Sequence, residues 1–456
     1  MPTFRQRQIG DERLVNIILF FILSIFLIVS LSLLSPKKYG DSLEYIAITE
    51  SLYRHASPDL RDEDKRILER SNLDLDEIIA YYRLALDDKY YSVHFWMYPL
   101  ICLPMKFVLE FLQGYVMKAF QLTNISLFIV GLFHIIFVSQ LSQRQILFWT
   151  LLSLCSPVFW FFVWPHPEVF SFSFVTMSLV YMHRKNCRRA VVYSSMASLQ
   201  NQPLIFLVFF FWVRGILASE RKFKEISLLT VYAMIALIPN IFSFIKFRTP
   251  SLVASVGANV EHLSLFRVWE MFFDLNIGLF PYAPLSVIIL IAVVLRESVL
   301  RRKLTGNLQL CFVLIAMMLA CTTSTNWNHG TAGPTRYMIW MLPIVFFIMI
   351  NQEKKLLLNV VYSGMIFVTI VIQAVMVGRM GGFESQVSYL RFSPLAKFAL
   401  QHFPRFYNPT PEIFIERSLG FESQIGNEGG TDRMIYYKDP SGRCQKALVT
   451  GIFDHA

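Results

Sequence analysis

From Leu14 to Leu34 the chain carries no charged residue, a run of roughly 20 positions that matches the hydrocarbon thickness of a bilayer. Comparable apolar runs recur at 119–139, 146–163, 168–182, 226–245, 279–295, 308–323, 338–350 and 356–377. Two shorter ones, 190–199 and 204–213, read as a hairpin broken at Gln200-Asn201-Gln202-Pro203. Polar backbone at that depth belongs where it lines protein or a wet cavity. Together these runs predict about eleven crossings. A polar loop, 36–93, follows the first of them. Within it 58–70 is strongly charged, and 74–86 sets Leu75, Ile78, Ile79, Tyr82 and Leu86 at helical spacing. Asp74, Asp76 and Glu77 crowd the first turn of that second stretch, where a helix dipole favours negative charge. Both stretches read as amphipathic helices lying on the membrane surface.

Basic residues set the orientation, because cytoplasmic loops collect Lys and Arg. Arg5, Arg7 and Arg13 hold the start inside, so 36–93 lies outside. The cluster at 183–189 should be cytoplasmic, and three crossings from the first loop put it there whereas four would not. The segment 95–112, interrupted by Pro99, Pro104, Lys106 and Glu110, is therefore read as a re-entrant or interfacial helix. Arg214, Arg221, Lys222 and Lys224, the cluster 296–303 and the pair Lys354-Lys355 then all fall inside. The resulting plan is an all-α polytopic membrane protein. Its transmembrane domain spans 1–379, with a first extracytoplasmic stretch at 36–118, and 380–456 form a small extracytoplasmic C-terminal region.

Composition agrees with this class and removes others. Of 456 residues 55% are hydrophobic and 16% charged, with 42 phenylalanines, more apolar surface than a soluble domain buries. The net charge of +10 is spread over short clusters between apolar runs, which speaks for membrane orientation and against a nucleic-acid partner. The six cysteines show no metal-like spacing, and no Gly-rich phosphate loop is present. Outer loops carry no Asn-X-Ser/Thr acceptor, which favours a bacterial plasma membrane over a glycosylating compartment.

Candidate chemistry gathers in segments that the topology puts on the outer side. Asp41 and Glu44 stand just beyond the first crossing, and Asp41 suits either a base at the membrane surface or a cap on the next helix. Glu168 closes the turn 164–168 at the mouth of a crossing. There an acid is expensive unless it faces a cavity or a partner, although it could also complement the dipole of the following helix. Arg336 with His329 would make a pocket for an anionic headgroup, since the guanidinium fork matches phosphate oxygens. Alternatively, Arg336 anchors a span beside an aromatic belt of Trp327, Tyr337 and Trp340. Arg248 and the segment 91–99 complete the outer patches.

Gly40-Asp41-Ser42…Tyr45, His94…Tyr98-Pro99, Ser156-Pro157…His166-Pro167-Glu168 and Gly333-Pro334-Thr335-Arg336-Tyr337 resemble, in order and on one side, segments of the GT-C superfamily. These are polyprenyl-phosphate-sugar-dependent glycosyltransferases, the class containing protein mannosyltransferases and the aminoarabinose transferase of lipid A. The resemblance covers most of the membrane part. It implies inverting transfer of a sugar from a polyprenyl-phosphate donor to a hydroxyl of a glycan, lipid or protein on the extracytoplasmic face of a multi-pass plasma membrane. Asp41 and Glu168 would be the catalytic acids, with Asp41 the base. Arg336, His329, Arg248 and Tyr337 would meet the donor phosphate and lipid, and Glu44, Tyr45, His94, Tyr98, His166 and Trp327 would line the substrate pocket. Two departures bear on a metal: Ser42 stands where many members have a second acid, and Glu168 where Asp is frequent. No metal ligand is assigned, and a divalent cation is left as an option. A transporter, flippase or polymerase of lipid-linked saccharides would share the same broken hairpin and basic outer face.

Overall fold

Helices stand at nearly every place where apolar periodicity puts one. The computed structural model describes residues 4–38, 40–219, 222–300, 305–330, 333–352, 359–380, 382, 390–421 and 433–450. Lys354-Lys355, Arg221 and part of the cluster 296–303 lie outside them. Among the described residues four helical stretches are long and apolar enough to cross a membrane: Leu14–Ser32, Lys118–Val138, Phe223–Phe247 and Val360–Arg379. Three shorter apolar helices, Gln202–Ala218, Gly306–Thr322 and Arg336–Asn351, join them. The chain thus has the helical make-up of a membrane protein. It divides into two compact units, each assembled from several stretches. The boundary at 379/380 drawn from sequence concerns sides of the membrane and not compactness.

The first unit holds 1–154, 161–256 and 340–351. It opens with α1 (Phe4–Ser32), α2 (Asp41–His55), α3 (Asp62–Arg70), α4 (Leu75–Ala80), α5 (Met97–Phe111) and α6 (Lys118–Phe133). It continues through α7 (Gln143–Leu154), α8 (Glu168–His183), α9 (Cys187–Ser198), α10 (Ile205–Ala218), α11 (Phe223–Met234) and α12 (Ile238–Phe247). α13 (Leu252–Gly257) stands at its end. α8 is buried from Glu168 to Tyr181 and forms the axis, with α6 and α9 packed on it. α7 stops at Leu154 although its apolar run continues, because Pro157 disfavours helical backbone at the preceding residue.

The first loop differs from expectation. The predicted helix 74–86 ends as α4 at Ala80, and the chain turns into a strand instead. β1 (Asp59–Leu60), β2 (Tyr82–Leu84) and β3 (Tyr90–Ser92) form an antiparallel sheet in the order β1-β3-β2. Tyr82 and Leu84 pair with Ser92 and Tyr90 across it, and aromatic residues favour such a pleated, half-buried surface. Gly40, at φ 57, turns the chain into α2, and its N–H donates to Glu77 Oε1 at 3.1 Å.

α2 is buried from Ser42 to Leu52 and packs on α5, and this contact contains charge. Lys106 Nζ of α5 lies 2.7 Å from Glu50 Oε2 and 4.8 Å from the centre of the Tyr53 ring. Removing one member of a buried ion pair leaves the other charge uncompensated. Lys106→Met is therefore expected to cost about 3 kcal/mol, because Arg54 still reaches Glu50 and keeps the loss at the low end. Thermal unfolding of the purified variant checks this, and an unchanged midpoint would refute it.

The second unit holds 155–160, 257–339 and 352–456. Its helices are α14 (Leu265–Phe273), α15 (Pro284–Leu300), α16 (Gly306–Thr322), the first turn of α17 (Arg336–Gln352), α18 (Asn359–Arg379), α19 (Pro394–His402) and α20 (Pro411–Leu419). β4 (Arg433–Lys438) and β5 (Cys444–Thr450) close it as an antiparallel hairpin. The C-terminal region has its own small core of Phe392, Ala396, Leu400, Tyr407, Phe414 and Tyr437. α14 and its C-cap carry two acids inward: Glu270 Oε1 accepts the Thr410 N–H at 2.7 Å, and Asp274 Oδ2 accepts the Tyr407 hydroxyl at 2.7 Å.

Candidate functional site

Asp41 begins α2 and Glu168 begins α8, while His166 sits in the turn just before α8. The turn is held from two sides. Asn124 of α6 donates through its side-chain amide to the carbonyls of Phe161 at 3.2 Å and Trp164 at 3.2 Å. The Lys37 N–H donates to the Val163 carbonyl at 2.8 Å, which ties the segment entering α2 to the same turn. Two prolines flank His166 and fix the local backbone.

The imidazole of His166 thereby bridges two carboxylates. Its Nδ1 is hydrogen-bonded to Glu168 Oε2, and its Nε2 lies 3.3 Å from Asp41 Oδ2. The Trp164 ring stacks on one side at 4.4 Å between centroids, and Tyr45 presents its edge at 5.5 Å and 87°. The ring is thus fixed in position and orientation. The Asp41 side chain keeps 16% of its surface exposed, while those of His166 and Glu168 keep 4% and 2%. Asp41 is the open end of the chain of groups.

A second pair lies beside it. Glu44 is fully buried and accepts from the Ser92 hydroxyl, the His94 N–H at 2.9 Å and His94 Nδ1 at 2.6 Å. Tyr45 touches His94 and Tyr98 at 5.6 Å each, so its ring joins the two imidazoles. Gln200 closes the arrangement: its carbonyl accepts the Tyr98 N–H at 3.1 Å and its amide donates to the Tyr45 hydroxyl at 3.3 Å. The Tyr98 hydroxyl donates to Asn124 Oδ1 at 3.1 Å. His94 also lines a small recess walled by Phe95, Phe242, Phe247 and Leu252.

Seven of the residues singled out from sequence thus come together: Asp41, Glu44, Tyr45, His94, Tyr98, His166 and Glu168. Arg248 belongs to the same unit but is exposed at the end of α12, its backbone left-handed at φ 56 and its guanidinium over the Phe244 ring. Asn124 and Gln200 were not singled out as site residues. Their only signal is polarity inside apolar surroundings, which fits many structural roles equally well.

The remaining candidates sit in the second unit, on the loop before α17 and in that helix's first turn. The Arg336 N–H donates to the His329 carbonyl at 2.9 Å, and the guanidinium lies 5.4 Å from the Tyr337 ring centre. The Tyr337 hydroxyl donates to Ser324 Oγ at 2.9 Å. Glu416 accepts from the Asn328 amide at 2.8 Å, and His329 Nε2 is 3.4 Å from its other oxygen. Trp327 is fully buried with the Arg267 guanidinium 5.2 Å from its ring centre. Among the described residues no three His, Cys, Asp or Glu side chains are grouped so as to hold a metal ion. No family model, no curated protein and no solved structure matches this chain.

Proposed function

We propose that this chain is a membrane glycosyltransferase of about eleven crossings. It would move a sugar from a polyprenyl-phosphate donor to a hydroxyl acceptor on the extracytoplasmic face. The observation that carries the reading is the Asp41–His166–Glu168 chain, open to solvent at Asp41 only. A hydroxyl is a weak nucleophile and needs a carboxylate within hydrogen-bond reach. A carboxylate only accepts hydrogen bonds, so Glu168 keeps a proton on His166 Nδ1 and leaves Nε2 facing Asp41. The proton taken from the acceptor then comes to lie between Asp41 Oδ2 and His166 Nε2, and Glu168 offsets the positive charge on the ring. As the acceptor oxygen bonds to the anomeric carbon, the carbon–oxygen bond to phosphate breaks and its electron pair leaves with the phosphate. One base and a phosphate leaving group require no covalent intermediate, so inversion is expected. The leaving phosphate needs a cation, and Arg336 is the residue to which the GT-C resemblance gives that role.

The test is turnover of isoprenyl-phosphate sugars by the purified full chain in lipid nanodiscs, read as liberated isoprenyl phosphate. Donor cleavage that depends on an added hydroxyl acceptor supports the transferase. Movement of intact donor between leaflets without cleavage would overturn it in favour of a transporter.

A further inference from the structure

α14 is amphipathic with its apolar face turned outward. Arg267 and Glu270 are buried, while Leu265, Phe266 and Trp269 are exposed, Trp269 to 57%. Leu265, Phe266, Trp269 and Phe273 fall within about 100° of one another around the helix. α19 and the stretch after it repeat the feature: Phe398, Phe403 and Phe406 are exposed, Phe406 to 87%. Phe406 is held outward, because Lys446 Nζ donates to the carbonyls that bracket it, Pro404 at 2.8 Å and Tyr407 at 2.6 Å. Phe266, Trp269, Phe273, Phe403 and Phe406 line one recess, so the two exposed faces are continuous. A contiguous exposed apolar face rimmed by polar residues marks a site of protein or membrane contact.

Two further observations choose between them. α14 is tied to the end of the apolar helix α16: the Ser264 N–H donates to Thr322 Oγ1 at 3.2 Å, and Arg267 Nη1 donates to the Thr322 carbonyl at 2.9 Å. α16 has 17 residues and is therefore about 25 Å long, near the thickness of a bilayer's hydrocarbon core. Its end, and α14 with it, then lie at headgroup depth, where aromatic side chains collect. Charge agrees as well. No acid stands between Glu384 and Glu412, while Lys397 and Arg405 are exposed beside the phenylalanines. We propose that α14 and residues 394–406 form a membrane-contact face that lies in the headgroup region and prefers anionic phospholipid. The aromatic rings enter the acyl boundary, and Lys397 and Arg405 meet lipid phosphates. The C-terminal region is thereby held on the bilayer surface. The inference rests on the chain's membrane character and is independent of the transferase reading.

The experiment uses the full chain in nanodiscs of phosphatidylcholine with a minority of phosphatidylglycerol. The photocrosslinker p-benzoylphenylalanine replaces Phe406 or Phe398 and, as a control, Ser441 in the polar turn between β4 and β5. Both phenylalanines are exposed, so exchanging one aromatic ring for another leaves the core intact. Illumination is followed by mass measurement of the adducts. The expected result is phospholipid adducts at 406 and 398 and few at 441. Phosphatidylglycerol should be several-fold over-represented among them, since a basic residue near an anionic surface favours it about fivefold. Lys397→Gln combined with Arg405→Gln should return it to its share of the disc. Folded variants that form no lipid adduct at 406 and 398, or as many at 441, overturn the proposal. Adducts with a second copy of the chain in place of lipid overturn it too and assign the face to self-association. Phosphatidylglycerol captured only in proportion to its share of the disc overturns the anionic preference, as does a charge variant that captures it like the unaltered chain.

Discussion

Asp41→Asn is expected to leave the chain folded and to lower donor turnover roughly 10²- to 10⁴-fold, the usual worth of general-base assistance. The two roles open to Asp41 separate cleanly here. Gly40, not Asp41, is the N-cap of α2, so an Asp41 that only met the helix dipole in the first turn would lose about 0.3–1 kcal/mol on the exchange and nothing in rate. A base would lose rate, because an amide cannot hold the acceptor's proton. Glu168→Gln probes the other end of the chain of groups. The amide's carbonyl still accepts from His166 Nδ1, but it carries no charge to offset a protonated ring. Its rate should fall, with less effect on donor affinity than on turnover. Unfolding midpoint and isoprenyl phosphate release, measured on one preparation of each variant, decide the matter. A folded Asp41→Asn with full turnover would remove Asp41 as the base while leaving the transferase reading without an assigned one.

Legibility followed the chain's own segments. Asp41, Glu44 and Tyr45 share one helical turn and a half, and His166 and Glu168 one proline-bounded turn. Assigning each segment to the outer side was enough to suggest that they meet. His94 and Tyr98 were reached in the same way, from the segment that closes the first loop. Asn124 was not, because a single amide in an apolar helix looks the same whether it ties a turn or fills a core. Nor was the strand at Tyr82–Leu84. Its apolar residues fit a helical stripe, and only pairing with β3 makes the extended form win. Arg417 and Glu270 lay in segments that read as polar loop and C-terminal region, and tertiary packing alone buries them.

Glu270 leads to the second large effect. Burial, with the Asp274 carboxylate beside it, pushes the Glu270 carboxyl from 4.5 up to about 8, although the Thr410 N–H holds it down somewhat. The folded chain therefore keeps this group neutral at pH 7, while the unfolded chain would ionise it. A raised folded pKa gives stability that is full below about 4.5 and lost as pH climbs through 8. At about 1.4 kcal/mol per pH unit, the loss across that window is on the order of 5 kcal/mol. Glu270→Gln keeps a carbonyl for the Thr410 N–H and never ionises. The unfolding midpoint of the unaltered chain should fall between pH 4.5 and 8 more steeply than that of the variant, with the variant the more stable at pH 8. Parallel curves would show that Glu270 ionises without penalty.

The small sheet in the first loop has a consequence for how the candidate site opens. β3 ends at Ser92, whose hydroxyl donates to Glu44, and the next residues bring His94 to the same carboxylate. Neither contact survives if β3 leaves its neighbours, so local unfolding of the loop and loss of the site are one event. Amides of β3 and the backbone N–H of His94 should then exchange with deuterium at a common rate, as a single cooperative unit. A protease cut in the turn between β2 and β3, where Asp88 is left-handed at φ 57, would silence a site to which that turn contributes no residue.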